Sequence, residues 1–138
     1  MAKPAHLHHI AVPPGVARGP GYSHVVSGAG RLVALSGQVA LNEDGHLVGR
    51  GDVEAQARQV FENLARCLAA VGAGFDDVVK LTFYLTDIRH LAAVRAARDA
   101  FVDTANPPAS TAVQVAALAV PGLLVEVDAL AIVEEPAR

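Results

Sequence analysis

One cysteine, Cys67, is all the chain carries, so no internal disulfide can form and a reducing, cytoplasmic setting is expected. Tryptophan is absent and aromatics make up only 4% of the 138 residues, too few for the stacking platforms that bind single-stranded nucleic acid. Positive charge is short as well: 11 Lys and Arg stand against 14 Asp and Glu, a net charge of −3. A phosphate backbone calls for clustered cations, so no nucleic-acid partner is expected. No apolar run reaches the roughly 18 residues of a membrane span, and Met1-Ala-Lys-Pro-Ala does not read as a signal peptide. No membrane partner is expected either. What the chain has in excess is aliphatic surface. Apolar residues make up 52% of it, much of that Ala and Val, which is more than a solitary monomer of one domain's length needs. The surplus points to a core of small side chains and to a subunit interface.

Two helices are predicted. Val53, Ala57, Val60, Phe61, Leu64, Leu68 and Val71 recur at threes and fours over residues 52–71, with Gly51 before them and Gly72 in place as a C′ residue. Cys67 lies beside that stripe and reads as packing at the core edge rather than as a nucleophile. The second helix spans residues 88–103, with Leu91, Val94, Phe101 and Val102 on one side. Asp87 is its N-cap, and Asn106-Pro107-Pro108 stops it.

The remainder reads as strand: residues 22–27, 32–41, 46–48, 78–85, 111–118 and 123–133. Asp44-Gly45 marks a hairpin turn between the second and third. The order is β-β-β-α-β-α-β-β, a mixed sheet with two helices on one face, hence an α+β sandwich of two layers. Residues 1–138 are expected to form one domain, with 1–11 a flexible or edge segment. The last strand is apolar on both faces: Val125, Val127, Ala129, Ala131 and Val133 on one, Leu124, Leu130 and Ile132 with Glu126 and Asp128 on the other. Two helices cover one face only, so another subunit is the expected cover for the second.

Candidate chemistry is sparse. Glu126 and Asp128 share a face with large aliphatics. If that face meets a subunit interface, a partly desolvated carboxylate there can act as general base or acid; in solvent, the two charges would only discourage edge pairing. His6, His8 and His9 have no Cys or carboxylate beside them and read as a tail rather than a metal site. Gly28-Ala-Gly-Arg leads into a strand and lacks a third glycine, so no dinucleotide cofactor is implied. Ser36-Gly37-Gln38, inside an apolar strand, marks either a bulge or a close approach to the backbone.

Several of these pieces, in this order, resemble one family. They are Gly-Pro-Gly-Tyr at 19–22, Leu-Ser-Gly-Gln at 35–38, the helix from Gly51 to Gly72, Asp77-Val-Val-Lys-Leu-Thr-Phe-Tyr-Leu, Pro107-Pro-Ala-Ser-Thr and Val125-Glu-Val-Asp-Ala. Over residues 12–134 they are similar to the Rid family, also called YjgF/YER057c/UK114 and, in older usage, L-PSP endoribonuclease. The resemblance implies a chorismate-mutase-like fold assembled as a homotrimer, with small-molecule clefts between subunits. It also implies hydrolysis of reactive imines and enamines to 2-oxo acids and ammonia, with no cofactor. In that scheme an arginine grips the substrate carboxylate and a glutamate activates water, aided by a tyrosine and a serine. Tyr22, Ser36 and Glu126 match the tyrosine, serine and glutamate.

Two positions depart from the pattern. Ser110 stands where the resemblance implies the arginine, and a serine can donate a hydrogen bond but supplies no charge. On the second helix Val94-Arg95 replaces the Val-Asn of the site-forming deaminases. Arg95 is expected either to pair with Asp99 one turn on, or to reach the cleft and partly replace the lost charge. Two functions follow: a hydrolytic deaminase-type enzyme whose usual 2-iminopropanoate and 2-iminobutanoate activity is called into question by Ser110, or a metabolite-binding trimer without turnover. A ribonuclease is disfavoured, because the chain is acidic and has no basic stripe.

Overall fold

The computed structural model describes residues 6–136. Helix α1 is Val53–Ala69, and local chemistry sets both of its ends. Asp52 accepts a hydrogen bond from the Ala55 amide at 3.1 Å, satisfying one orphan N–H of the first turn. At the far end Gly72 sits at φ +72° in the expected C′ position. Its N–H reaches Ala69 O at 3.1 Å, and the Ala73 N–H reaches Leu68 O at 2.9 Å, closing a Schellman motif. Ala57, Val60, Phe61, Leu64 and Leu68 are fully buried beneath α1. Each large aliphatic or aromatic among them contributes about 1.5–3 kcal/mol of burial.

The principal sheet has four strands: β3 (Arg31–Val39), β4 (Val78–Leu85), β5 (Ala109–Gln114) and β6 (Val125–Val133), in the spatial order β3-β6-β4-β5. β6 runs antiparallel to both neighbours, and β4 and β5 are parallel, so the sheet is mixed as predicted. One face, with Val33, Leu35, Leu81, Phe83, Leu85, Val125 and Val127, is buried toward the helices. Phe61, Phe75, Phe83 and Phe101 gather there with ring centroids 5.5–6.3 Å apart, so all four phenylalanines are concentrated in one cluster. The other face is uncovered by the chain. Leu32 is 69% exposed and Leu130 41%, beside Ala34, Lys80, Thr82 and Tyr84.

The strand placed at 111–118 is β5, which starts at Ala109 and ends four residues early at Gln114, and three further predicted elements differ from the structure. The strand placed at 22–27 is β2 (Val25–Gly28), which leaves Tyr22 in a loop. Its partner is β1 (Leu7–Ile10), forming a separate two-stranded antiparallel sheet. The strand placed at 46–48 is reduced to a single bridge between Leu41 and Leu47. Asn42 explains this: its Oδ1 accepts from the Asp44 and His46 amides, each at 3.0 Å, and winds the chain into a loop. The second helix is shorter. Ile88–His90 is a 3-10 turn capped by Asp87, α2 is Leu91–Arg98, and the chain then tightens into Ala100 N–H to Ala97 O and Phe101 N–H to Arg98 O bonds. Arg89 binds the Asp87 carboxylate and holds its pKa down to about 2. Among the described residues no helix is long and apolar enough to cross a membrane.

Candidate functional site

Two groups of side chains answer to the predicted site, and they lie at different corners of the chain. The first is built on β3 and β6. Register slips between Leu35 and Gln38, so Ser36 and Gly37 form a bulge against β6. A methyl group at Gly37 would collide with Glu126 Oε2 and stand 2.8 Å from its carboxyl carbon. The Glu126 carboxyl group therefore lies directly across the bulge, a position only glycine permits. Both readings of Ser36-Gly37-Gln38 are combined here: the bulge is present, and what approaches its backbone is Glu126. Ser36 is exposed and Glu126 half-buried, on the face the helices do not cover. Two residues on, Asp128 accepts a 2.9 Å hydrogen bond from the Tyr84 hydroxyl, and this bond raises the phenol's pKa above its ordinary value.

An open cavity of about 520 Å³ begins at Gly37 and Gln38 and runs between β3 and α1, past Asn42, Gln59, Asn63 and Arg66. Asn63 is engaged within the fold, donating to Val39 O at 3.1 Å and Leu41 O at 3.0 Å and accepting from Gln59. Its first duty is to brace β3 against α1.

The second group surrounds the loop at residues 19–23. Ser23 is buried, its hydroxyl donating to Pro107 O at 2.7 Å and its amide to Pro108 O at 3.3 Å. These bonds pin the loop to the mouth of β5, two residues before Ser110. Tyr22 is half-buried, folded back over Gly19 and set edge-on to His24 with centroids 5.1 Å apart. On the other side, a methyl group at Gly21 would lie 3.1 Å from Arg98 Nη2 and 3.2 Å from Arg95 Cδ. Arg98, which the sequence did not single out, is 3% exposed. It donates to Gly21 O and holds Asp99 Oδ1 through Nε at 3.0 Å and Nη2 at 2.7 Å. The expected Arg95–Asp99 pair is thereby replaced: Arg98, adjacent in the chain, occupies the carboxylate. Arg95 is half-buried, and its side chain makes no hydrogen bond or ion pair among the described residues.

Within one chain these groups stay apart. Ser110 pairs with Leu81 in parallel register, so it shares the helix-side face, whereas Glu126 pairs with Tyr84 on the opposite face. Ser36 and Ser110 stand on opposite edge strands, three interstrand steps or about 14 Å apart. His6 is held by Ile132 O at 2.7 Å and lies 3.3 Å from Asp77 Oδ1, while His8 and His9 belong to β1. Among the described residues no group of three His, Cys, Asp or Glu side chains is placed to hold a metal ion.

The family profile described as Endoribonuclease L-PSP matches residues 16–133. The chain belongs to the Rid/YjgF family. Protein DfrA of Myxococcus xanthus is 40% identical over 132 residues, covering 96% of this Rid chain and 97% of its own length. A 2-iminobutanoate/2-iminopropanoate deaminase of Salmonella typhimurium is 35% identical over 75% of this chain and 80% of its own. Among solved structures, the Rid-family protein YyfB of Yersinia pestis, described as of unknown function, superposes with a TM-score of 0.84 at 38% identity. That match covers 93% of this chain and 99% of YyfB. The Rid fold expected from the motifs is therefore the fold observed.

Proposed function

We propose that this Rid protein assembles as a homotrimer whose clefts, shared between neighbouring copies, bind and hydrolyse a small imine or enamine metabolite. The observation that carries the reading is the Glu126 carboxyl group laid across Gly37 on a sheet face the chain leaves uncovered. A neighbour covering that face would bring its own Tyr22, Arg95 and Ser110 corner toward Glu126, since within one chain Ser110 and Glu126 stand on opposite sheet faces. A carboxylate in such a cleft accepts a proton from water as the oxygen attacks the carbon of C=N. The carboxylate returns that proton to nitrogen, giving a carbinolamine; the carbinolamine's hydroxyl proton then moves to the amine through the same carboxylate as C=O forms, the C–N bond breaks, and ammonia leaves with a 2-oxo acid as co-product. Tyr22 and Ser36 serve as polar contacts that orient the substrate. The relative named as a 2-iminobutanoate/2-iminopropanoate deaminase supports this reaction class.

A second reading, a trimer that binds a metabolite without turnover, is favoured by Ser110. At the β5 position a neutral hydroxyl offers one hydrogen bond in place of a two-pronged ion contact, a loss of about 2–3 kcal/mol for a carboxylate. The deciding experiment generates 2-iminobutanoate in situ and follows ammonia release by the native protein and by Glu126→Gln. Glu126→Gln is expected to lower the rate by about a hundredfold or more. An unchanged rate removes Glu126 as water activator. A native protein that binds 2-oxobutanoate yet releases no ammonia above background establishes the binder instead.

A further inference from the structure

We infer that Arg95 is the anion anchor of the cleft: its guanidinium, carried across Gly21 from α2, binds the carboxylate of a small 2-oxo or 2-imino acid. The inference rests on reading the cleft as a small-molecule site but not on turnover. Three observations carry it. First, Arg95 is half-buried and its guanidinium has no hydrogen-bond or ion-pair partner among the described residues. A guanidinium drawn partly out of water loses hydration, and such groups are ordinarily compensated by a paired anion.

Second, the anion that helix spacing offers it is spent. Asp99 is held by two bonds from Arg98, so the corner of Arg95, Arg98 and Asp99 carries two positive charges and one negative. The surplus charge is that of Arg95. Third, the stem of Arg95 is guided. Its Cδ and Nε lie 3.2 and 3.5 Å from where a Gly21 methyl would stand, with Arg98 Nη2 at 3.1 Å on the same residue. Gly21 in turn sits in the loop that Ser23 pins to Pro107 and Pro108. The free charge and the mouth of β5 are thus held by one braced loop, beside Tyr22. A planar donor with several N–H groups suits a carboxylate, which can take two of them at once.

The test compares binding of 2-oxobutanoate and of its neutral counterpart 2-oxobutanamide by titration calorimetry, using the native protein and Arg95→Gln. The expected result is that Arg95→Gln binds 2-oxobutanoate roughly ten- to a hundredfold more weakly and the amide equally well. Arg95→Lys keeps the charge but not the fork, so it should fall between the two for the acid and match the native protein for the amide. It carries the same comparison should Arg95→Gln not fold. Equal affinity of native protein and variants for 2-oxobutanoate overturns the inference, as does a native protein that binds the amide as tightly as the acid or binds neither at millimolar concentration. Loss of turnover in Glu126→Gln with unchanged 2-oxobutanoate binding in Arg95→Gln would leave the hydrolase reading standing and remove the anchor alone.

Discussion

At the scale of single residues the site depends on an absence of atoms. Gly37 has no Cβ, and the Glu126 carboxyl group occupies the space a Cβ would take. Because the displaced group is the mobile end of a side chain, the fold can absorb a methyl there while the carboxylate cannot keep its place. Gly37→Ala is therefore predicted to cost about 1 kcal/mol of stability or less and yet to reduce ammonia release by roughly tenfold or more, read from thermal melting and the imine assay together. Full activity in a normally folded variant would show that the carboxylate works from elsewhere. Ser36-Gly37-Gln38 is legible in the sequence as a break in an apolar strand, but its partner is not: Glu126 lies about ninety positions away and only strand register joins them. The Arg95–Asp99 pairing fails for a related reason. Helix spacing permits it, but Arg98 lies next to Asp99 and, braced on Gly21, takes the carboxylate.

At the scale of elements, α1 is the clearest feature of the sequence, because its apolar period and its Gly72 cap are both local. The 19–23 loop is the least clear. Tyr22 and Ser23 read as strand, yet Ser23 commits its hydroxyl to Pro107, 84 positions away, and its amide to Pro108. No local pattern carries that contact. Another long-range tie joins α1 to the chain entering β6. Gln56, fully buried, donates to Gly49 O at 3.1 Å and Gly122 O at 2.9 Å and accepts from the Leu124 amide at 2.8 Å. Gln56→Ala leaves these three backbone groups without their partner, and a loss of about 3 kcal/mol is predicted. Urea unfolding with an unchanged midpoint would mean the backbone groups find other partners.

At the scale of the whole molecule, an excess of aliphatic residues in the composition and a last strand apolar on both faces point to a partner by themselves. The fold places that excess: Leu32 and Leu130 stand exposed on the uncovered face, around Glu126 and the Tyr84–Asp128 pair. Glu126 lies on that face and Ser110 on the other, so in the proposed reading the assembly and the site are one question. What local sequence could not supply is the placement of Glu126 and Ser110 on opposite sheet faces, since this follows from the β4–β5 and β4–β6 registers. The most direct test is the mass of the native protein in dilute solution by light scattering. The proposed homotrimer predicts three times the 14.2 kDa of the chain. A mass of one chain at concentrations where the protein binds 2-oxobutanoate or releases ammonia would contradict the account.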